Sequence, residues 1–141
     1  MGNSYYKLND FENAIQSYQQ AINRTKDNNV KFNADYNLGN SYFRQGQMIL
    51  FKSTDPKFLE EIENIKATGD DVGNTINAWE NAIKAYEEAL KINPDDTQAK
   101  ENLEFVKELL EKLKKQVSGE PNEENQEEQN PDELEDETKR V

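Results

Sequence analysis

The sequence predicts an all-α fold, an antiparallel helix-turn-helix array, and three observations carry that prediction. The first is internal repetition: Phe11-Glu-Asn-Ala-Ile-Gln-Ser-Tyr-Gln-Gln-Ala-Ile22 returns 68 positions later as Trp79-Glu-Asn-Ala-Ile-Lys-Ala-Tyr-Glu-Glu-Ala-Leu90. The second is a matched pair 37 positions apart, Gly2-Asn-Ser-Tyr-Tyr6 and Gly39-Asn-Ser-Tyr-Phe43. The third is the spacing of the apolar residues, which follows the helical period in each segment before Ser118 that is read as a helix. A separation of 68 is twice 34, and helical units recurring at a fixed period form stacked arrays in which each unit buries its apolar face on the next.

Taken in order, residues 1–8 read as the end of a helix, with Tyr5 and Leu8 as apolar contacts and Asn9-Asp10 as the turn. A helix from Phe11 to about Thr25 follows, with Ala14, Ile15, Tyr18, Ala21 and Ile22 on one side. Alanines at such spacing let helices approach closely while aromatics fill the groove between them. Lys26-Asp-Asn-Asn29 reads as a connection. The next helix is expected from Lys31 or Asn33, carrying Tyr36, Leu38, Tyr42 and Phe43.

After Gly46-Gln47 the repeat is interrupted, and Met48 to Ala78 stand as an insertion before the matching helix resumes at Trp79. Asp55-Pro56 is an N-cap followed by proline at the first helical position. Phe58, Leu59, Ile62 and Ile65 make one apolar face, and Gly69 is expected to stop the helix. The insertion is therefore read as an extra helix over about 56–67, between a lengthened third and a lengthened fifth helix, with Met48, Ile49 and Phe51 covering its face. Asp96 or Thr97 is expected to cap a final helix over 96–117, whose stripe runs Ala99, Leu103, Val106, Leu109, Leu110, Leu113, Val117. Such a single-faced helix closes the open end of an array. From Ser118 the chain turns to Glu, Asn, Gln, Asp and Pro; residues 118–141 cannot bury enough apolar surface to offset their ordering entropy and are expected to be a disordered acidic tail.

Charge and missing residues bound the chemistry. The 141 residues contain neither His nor Cys and carry a formal charge of −12. No side chain titrates near neutrality in its unperturbed state, and no thiolate is available as nucleophile or ligand. No metal site, cofactor or catalytic residue is therefore expected, and a non-catalytic role is. The tail contributes −8 of the charge, leaving residues 1–117 only mildly acidic. That is no basic face for nucleic acid. Met48-Ile-Leu-Phe51 is the longest apolar run, far below the ~20 residues that span a bilayer, so no membrane insertion is expected. Absence of cysteine fits cytoplasm and periplasm equally.

These residues resemble the tetratricopeptide repeat (TPR) family of 34-residue helix-turn-helix units. Gly2, Tyr5, Ala14, Tyr18 and Ala21 match in a first repeat; Leu38, Gly39, Tyr42, Ala82, Tyr86, Ala89 and Pro94 match in a second. The resemblance covers about 1–47 and 79–117, making residues 1–117 one TPR-type domain. Three departures stand out: the first repeat starts late, it has Lys26 where a closing proline belongs, and the second is split by the insertion 48–78. The late start implies a fragment of a longer protein, with an unfinished apolar edge that a second copy could cover. The order of features is also similar to small TPR proteins of bacterial aerotolerance (Bat) operons, which implies a membrane-associated or periplasmic assembly.

The TPR resemblance implies a concave groove on the first helix of each repeat that holds a protein or peptide partner. By position it would comprise Asn3, Tyr6 and Lys7, then Asn33, Tyr36, Asn37, Asn40, Phe43 and Arg44, then Gln98, Glu101, Asn102 and Phe105 of the last helix. Asparagine amides both donate and accept, as a peptide backbone requires. The same asparagines could instead serve only to cap, solvate or bridge helices. Some family members clamp a C-terminal carboxylate; Asn3 and Asn37 match that clamp, but Gln98 and Asn102 stand where its basic residues belong, so a complete clamp is not expected.

Other signals have plainer readings. Asp70-Asp71-Val-Gly73 lacks the later oxygens of a calcium loop and fits a helix start. Asn23-Arg-Thr25 is a glycosylation sequon that chance produces often. Glu60/Glu61 and Glu87/Glu88 are sequence neighbours, which do not face each other on a helix. Met48, Phe51, Phe58 and Ile62 form either local core or a second docking patch.

Overall fold

The computed structural model describes residues 8–65 and 69–118. Its helices are α1 (Leu8–Arg24), α2 (Asn28–Phe51), α3 (Phe58–Glu61), α4 (Asp70–Ile92) and α5 (Thr97–Ser118), with a 3₁₀ turn at Ile62–Asn64. No strand occurs among the described residues. The fold is an all-α TPR-type array: α2 pairs most extensively with α4, while α1 lies against α2 and α5 against α4. The expected acidic tail, and most of the segment expected to end a preceding helix, lie outside the described residues.

Helix starts follow local chemistry. The Asp27 carboxylate accepts from the Asn29 amide (2.8 Å) and more weakly from Val30 (3.4 Å), so α2 begins at Asn28, earlier than the expected Lys31 or Asn33. Asp96 Oδ2 accepts from the Ala99 amide at 3.0 Å and caps α5, as its sequence suggests. The turn expected at Asn9-Asp10 is instead the first turn of α1, where an acidic side chain meets the positive end of the helix dipole.

Two glycines set how closely α2 and α4 approach. A Cβ on Gly39 would stand 2.6 Å from a ring carbon of Tyr86, and one on Gly46 would stand 2.6 Å from the Trp79 ring. Trp79 is fully buried. Its Nε1 donates to the Phe43 carbonyl at 3.1 Å, and the buried Thr75 hydroxyl donates to the Gly46 carbonyl at 3.0 Å. Around this seam Phe43, Phe58, Ile62, Trp79, Tyr86, Val106 and Leu113 form one core joining α2, the inserted turns, α4 and α5. A smaller cluster of Ile15, Leu38 and Ala85 holds α1.

The insertion is helical for less of its length than expected. Lys57 N bonds the Asp55 side chain at 3.0 Å, α3 makes one turn, and the chain is extended by Ile65. Phe58 and Ile62, one turn apart, reach the core, whereas Leu59 is 40% exposed, so only one side of this short segment is buried. Gly69 does not stop this helix: with φ +88° it precedes the first turn of α4. Phe51 covers the inserted turn, its ring centroid 5.1 Å from that of Phe58. Burial of Phe58 and Ile62 makes these residues local core rather than a docking patch.

Among the described residues, one buried side-chain oxygen lacks a hydrogen-bond partner. Asp35 on α2 is 3% exposed and its Oδ2 has no hydrogen-bond partner. Burial raises its pKa above the ordinary 3.8; Lys31 opposes the rise less strongly and Glu88 adds to it. A carboxyl raised in the fold favours folding while protonated and costs stability as pH climbs through its folded pKa. Asp35→Asn is therefore expected to raise the urea midpoint at neutral pH, with the gap to the parent closing by about pH 4. A gap that widens on acidification would contradict this.

Candidate functional site

α2 and α5 leave a cleft of about 350 Å³ between them, floored by α4. Tyr36, Asn40, Phe43 and Arg44 line it from α2, Tyr86 from α4, and Asn102, Phe105 and Val106 from α5. Positions 36, 40 and 43 recur at the helical period, so α2 presents them as one stripe. Asn102 and Val106 repeat that logic on α5.

The polar half of the cleft is a connected network. Tyr86 Oη donates to Asn40 Oδ1. Asn102 Nδ2 donates to the Tyr36 hydroxyl (3.1 Å) and, at longer range, to Asn40 Oδ1 (3.3 Å). Three helices are thereby joined through groups that keep further donor and acceptor capacity. Burial raises the Tyr86 phenol well above its ordinary pKa, Tyr36 adds to the rise, and Asn102 and Arg44 oppose it. The hydroxyl stays protonated and remains a donor.

The other half is aromatic and cationic. Phe43 packs on Trp79 with centroids 5.4 Å apart and meets Phe105 edge-on at 5.8 Å. Phe105 is 40% exposed, so part of its ring is open at the edge of the cleft. The exposed Arg44 guanidinium carbon lies 5.8 Å from the Phe43 ring centroid.

Of the residues expected in a groove, the fold brings together Tyr36, Asn40, Phe43, Arg44, Asn102 and Phe105. Asn33, Asn37, Gln98 and Glu101 do not line the cleft. Asn33 and Gln98 fall about one turn nearer the helix N-termini than the stripe, and Asn37 is rotated about 100° from Tyr36. Asn3, Tyr6 and Lys7 lie outside the described residues. Tyr86 and Val106 were not anticipated: each matched the pattern of a packing residue. The signal for Tyr86 was Gly39-Asn40, a gap beside an amide opposite a tyrosine.

Among the described residues no cluster of three His, Cys, Asp or Glu could hold a metal, and no helix is long and apolar enough to cross a membrane. A family model described as TPR repeat matches residues 2–46, and one described as tetratricopeptide repeat matches residues 80–96. Neither match bears on the aerotolerance-operon resemblance. Comparison with curated proteins and with solved structures returned no match.

Proposed function

Given that the chain is a tetratricopeptide-repeat protein, a family that generally mediates protein–protein interaction, we propose that it is a non-catalytic adaptor that holds a partner segment in the α2/α5 cleft. The observation that carries this is the pairing of a three-helix amide and hydroxyl network with an exposed Phe105 ring in one concavity. An extended peptide needs both: donors and acceptors for its backbone, and an apolar wall for its side chains. In this reading residues 1–117 act as one domain, and the insertion 48–78 buttresses the cleft from behind.

The test compares the parent with Phe105→Ala/Asn102→Ala and with Glu108→Ala, an exposed change on α5 outside the cleft, in pull-downs from the source cell. The double variant is expected to lose the partner while Glu108→Ala retains it. Equal retention by all three would move the interaction to another surface. Truncating the exposed Phe105 leaves the buried core stripe intact, so circular dichroism should show unchanged helix content.

A further inference from the structure

Arg44 is the cationic member of the cleft, and among the described residues no carboxylate pairs with it in a chain that is acidic overall. It is held in place all the same. Its Nη1 donates to Gln47 Oε1 at 3.2 Å. Gln47 is fully buried, and its Nε2 donates to the Ser53 carbonyl at 3.0 Å and, marginally, towards that of Asp55 at 3.5 Å. A buried amide whose donor end is fixed by loop carbonyls can present only its oxygen to Arg44. The loop leading out of α2 into the insertion thus sets the side chain that puts charge into the cleft.

A guanidinium fixed on one edge and laid beside an aromatic ring keeps its remaining donors as a preformed fork, the geometry that suits a carboxylate. Resting on the cleft reading proposed above, we infer that Arg44 is a carboxylate anchor, that Gln47 is its positioning residue, and that the segment bound is an acidic peptide of a partner protein. An Asp or Glu side chain meets Arg44 at the Phe43/Phe105 end, and the peptide backbone runs on toward Asn40 and Asn102.

The test selects binders from a random peptide library displayed on phage against the full chain. It then measures each selected peptide beside its amide counterpart, Asp changed to Asn or Glu to Gln. The selected peptides are expected to share an acidic position. Amidation there should weaken binding to the parent roughly five- to twenty-fold and leave binding to Arg44→Gln unchanged. Gln47→Met should reduce that acid-to-amide ratio, a readout that a general loss of packing does not move. Gln47→Glu, which offers Arg44 an internal carboxylate, should bring the ratio close to one, and it serves if Gln47→Met loses helix content.

Peptides that depend on Phe105 but show no Arg44-dependent preference for acid would overturn the anchor and leave the cleft reading standing. Peptides indifferent to Phe105→Ala, or no peptide at all, would remove both. An unchanged ratio in both folded Gln47 variants would remove the positioning role alone.

Discussion

Trp79→Ala is expected to destabilise the protein by about 4 kcal/mol, the range for emptying a large buried aromatic site. Three features place it at that end. The ring is fully buried, it stacks on Phe43, and its Nε1 satisfies a main-chain carbonyl of α2 across the helix seam. Gly46 leaves no side chain that could move into the space. Against a total stability of roughly 5–15 kcal/mol for a domain, such a loss leaves the variant close to unfolding at room temperature. The chain has a single tryptophan, so urea unfolding should be followed by far-ultraviolet circular dichroism instead of fluorescence. A midpoint within about 1 kcal/mol of the parent would show that α2 and α4 close up over the gap.

The second large effect is a contrast of sign between two glycines in helices. Replacing glycine by alanine inside a helix gains about 1 kcal/mol of propensity. At Gly73 in α4 the new methyl group meets nothing within 4 Å, so Gly73→Ala should be stabilising by up to that amount. At Gly39 it would sit 2.6 Å from the Tyr86 ring. Overpacking a core typically costs about 1–3 kcal/mol, which outweighs the propensity gain. Gly39→Ala should therefore be destabilising on balance. It should also weaken partner binding beyond that, because the displaced ring carries the hydroxyl that donates to Asn40. Thermal melts of the two variants side by side check the sign. Two variants moving in the same direction would mean that Tyr86 rotates away freely.

Much of the fold was legible because repetition and helical spacing are written directly into side-chain order. Trp79, Ala82, Tyr86 and Ala89 fall on one face of α4, and all four are buried. What was not legible lay where a backbone conformation depends on a neighbour. Helix α2 ends at Lys52, a non-glycine residue at φ 59°, whose ammonium reaches the Ile49 carbonyl and pairs with Asp71 across the insertion. No local signal marks such a stop. The lining of the cleft divides the same way. The α2 stripe of Tyr36, Asn40, Phe43 and Arg44 followed from position in the repeat. Where the cleft ends, and hence the absence of Asn33 and Gln98 from its lining, depended on how α5 lies against α4. Gln47 reads in sequence as one more polar residue after a glycine; its role emerges only when the inserted loop folds back over it.

The bonds that define the cleft join residues far apart in the chain: Tyr86 to Asn40 spans 46 positions, and Asn102 to Tyr36 spans 66. Closing loops of that length costs chain entropy before any contact compensates for it. The cleft therefore exists only while α2, α4 and α5 are docked on one another. A segment bound across α2 and α5, as proposed, would act as a removable cross-brace, and mass action would tie its occupancy to survival of the fold. On the proposed function, the chain with a peptide in this cleft is expected to resist heat and proteolysis better than the chain alone.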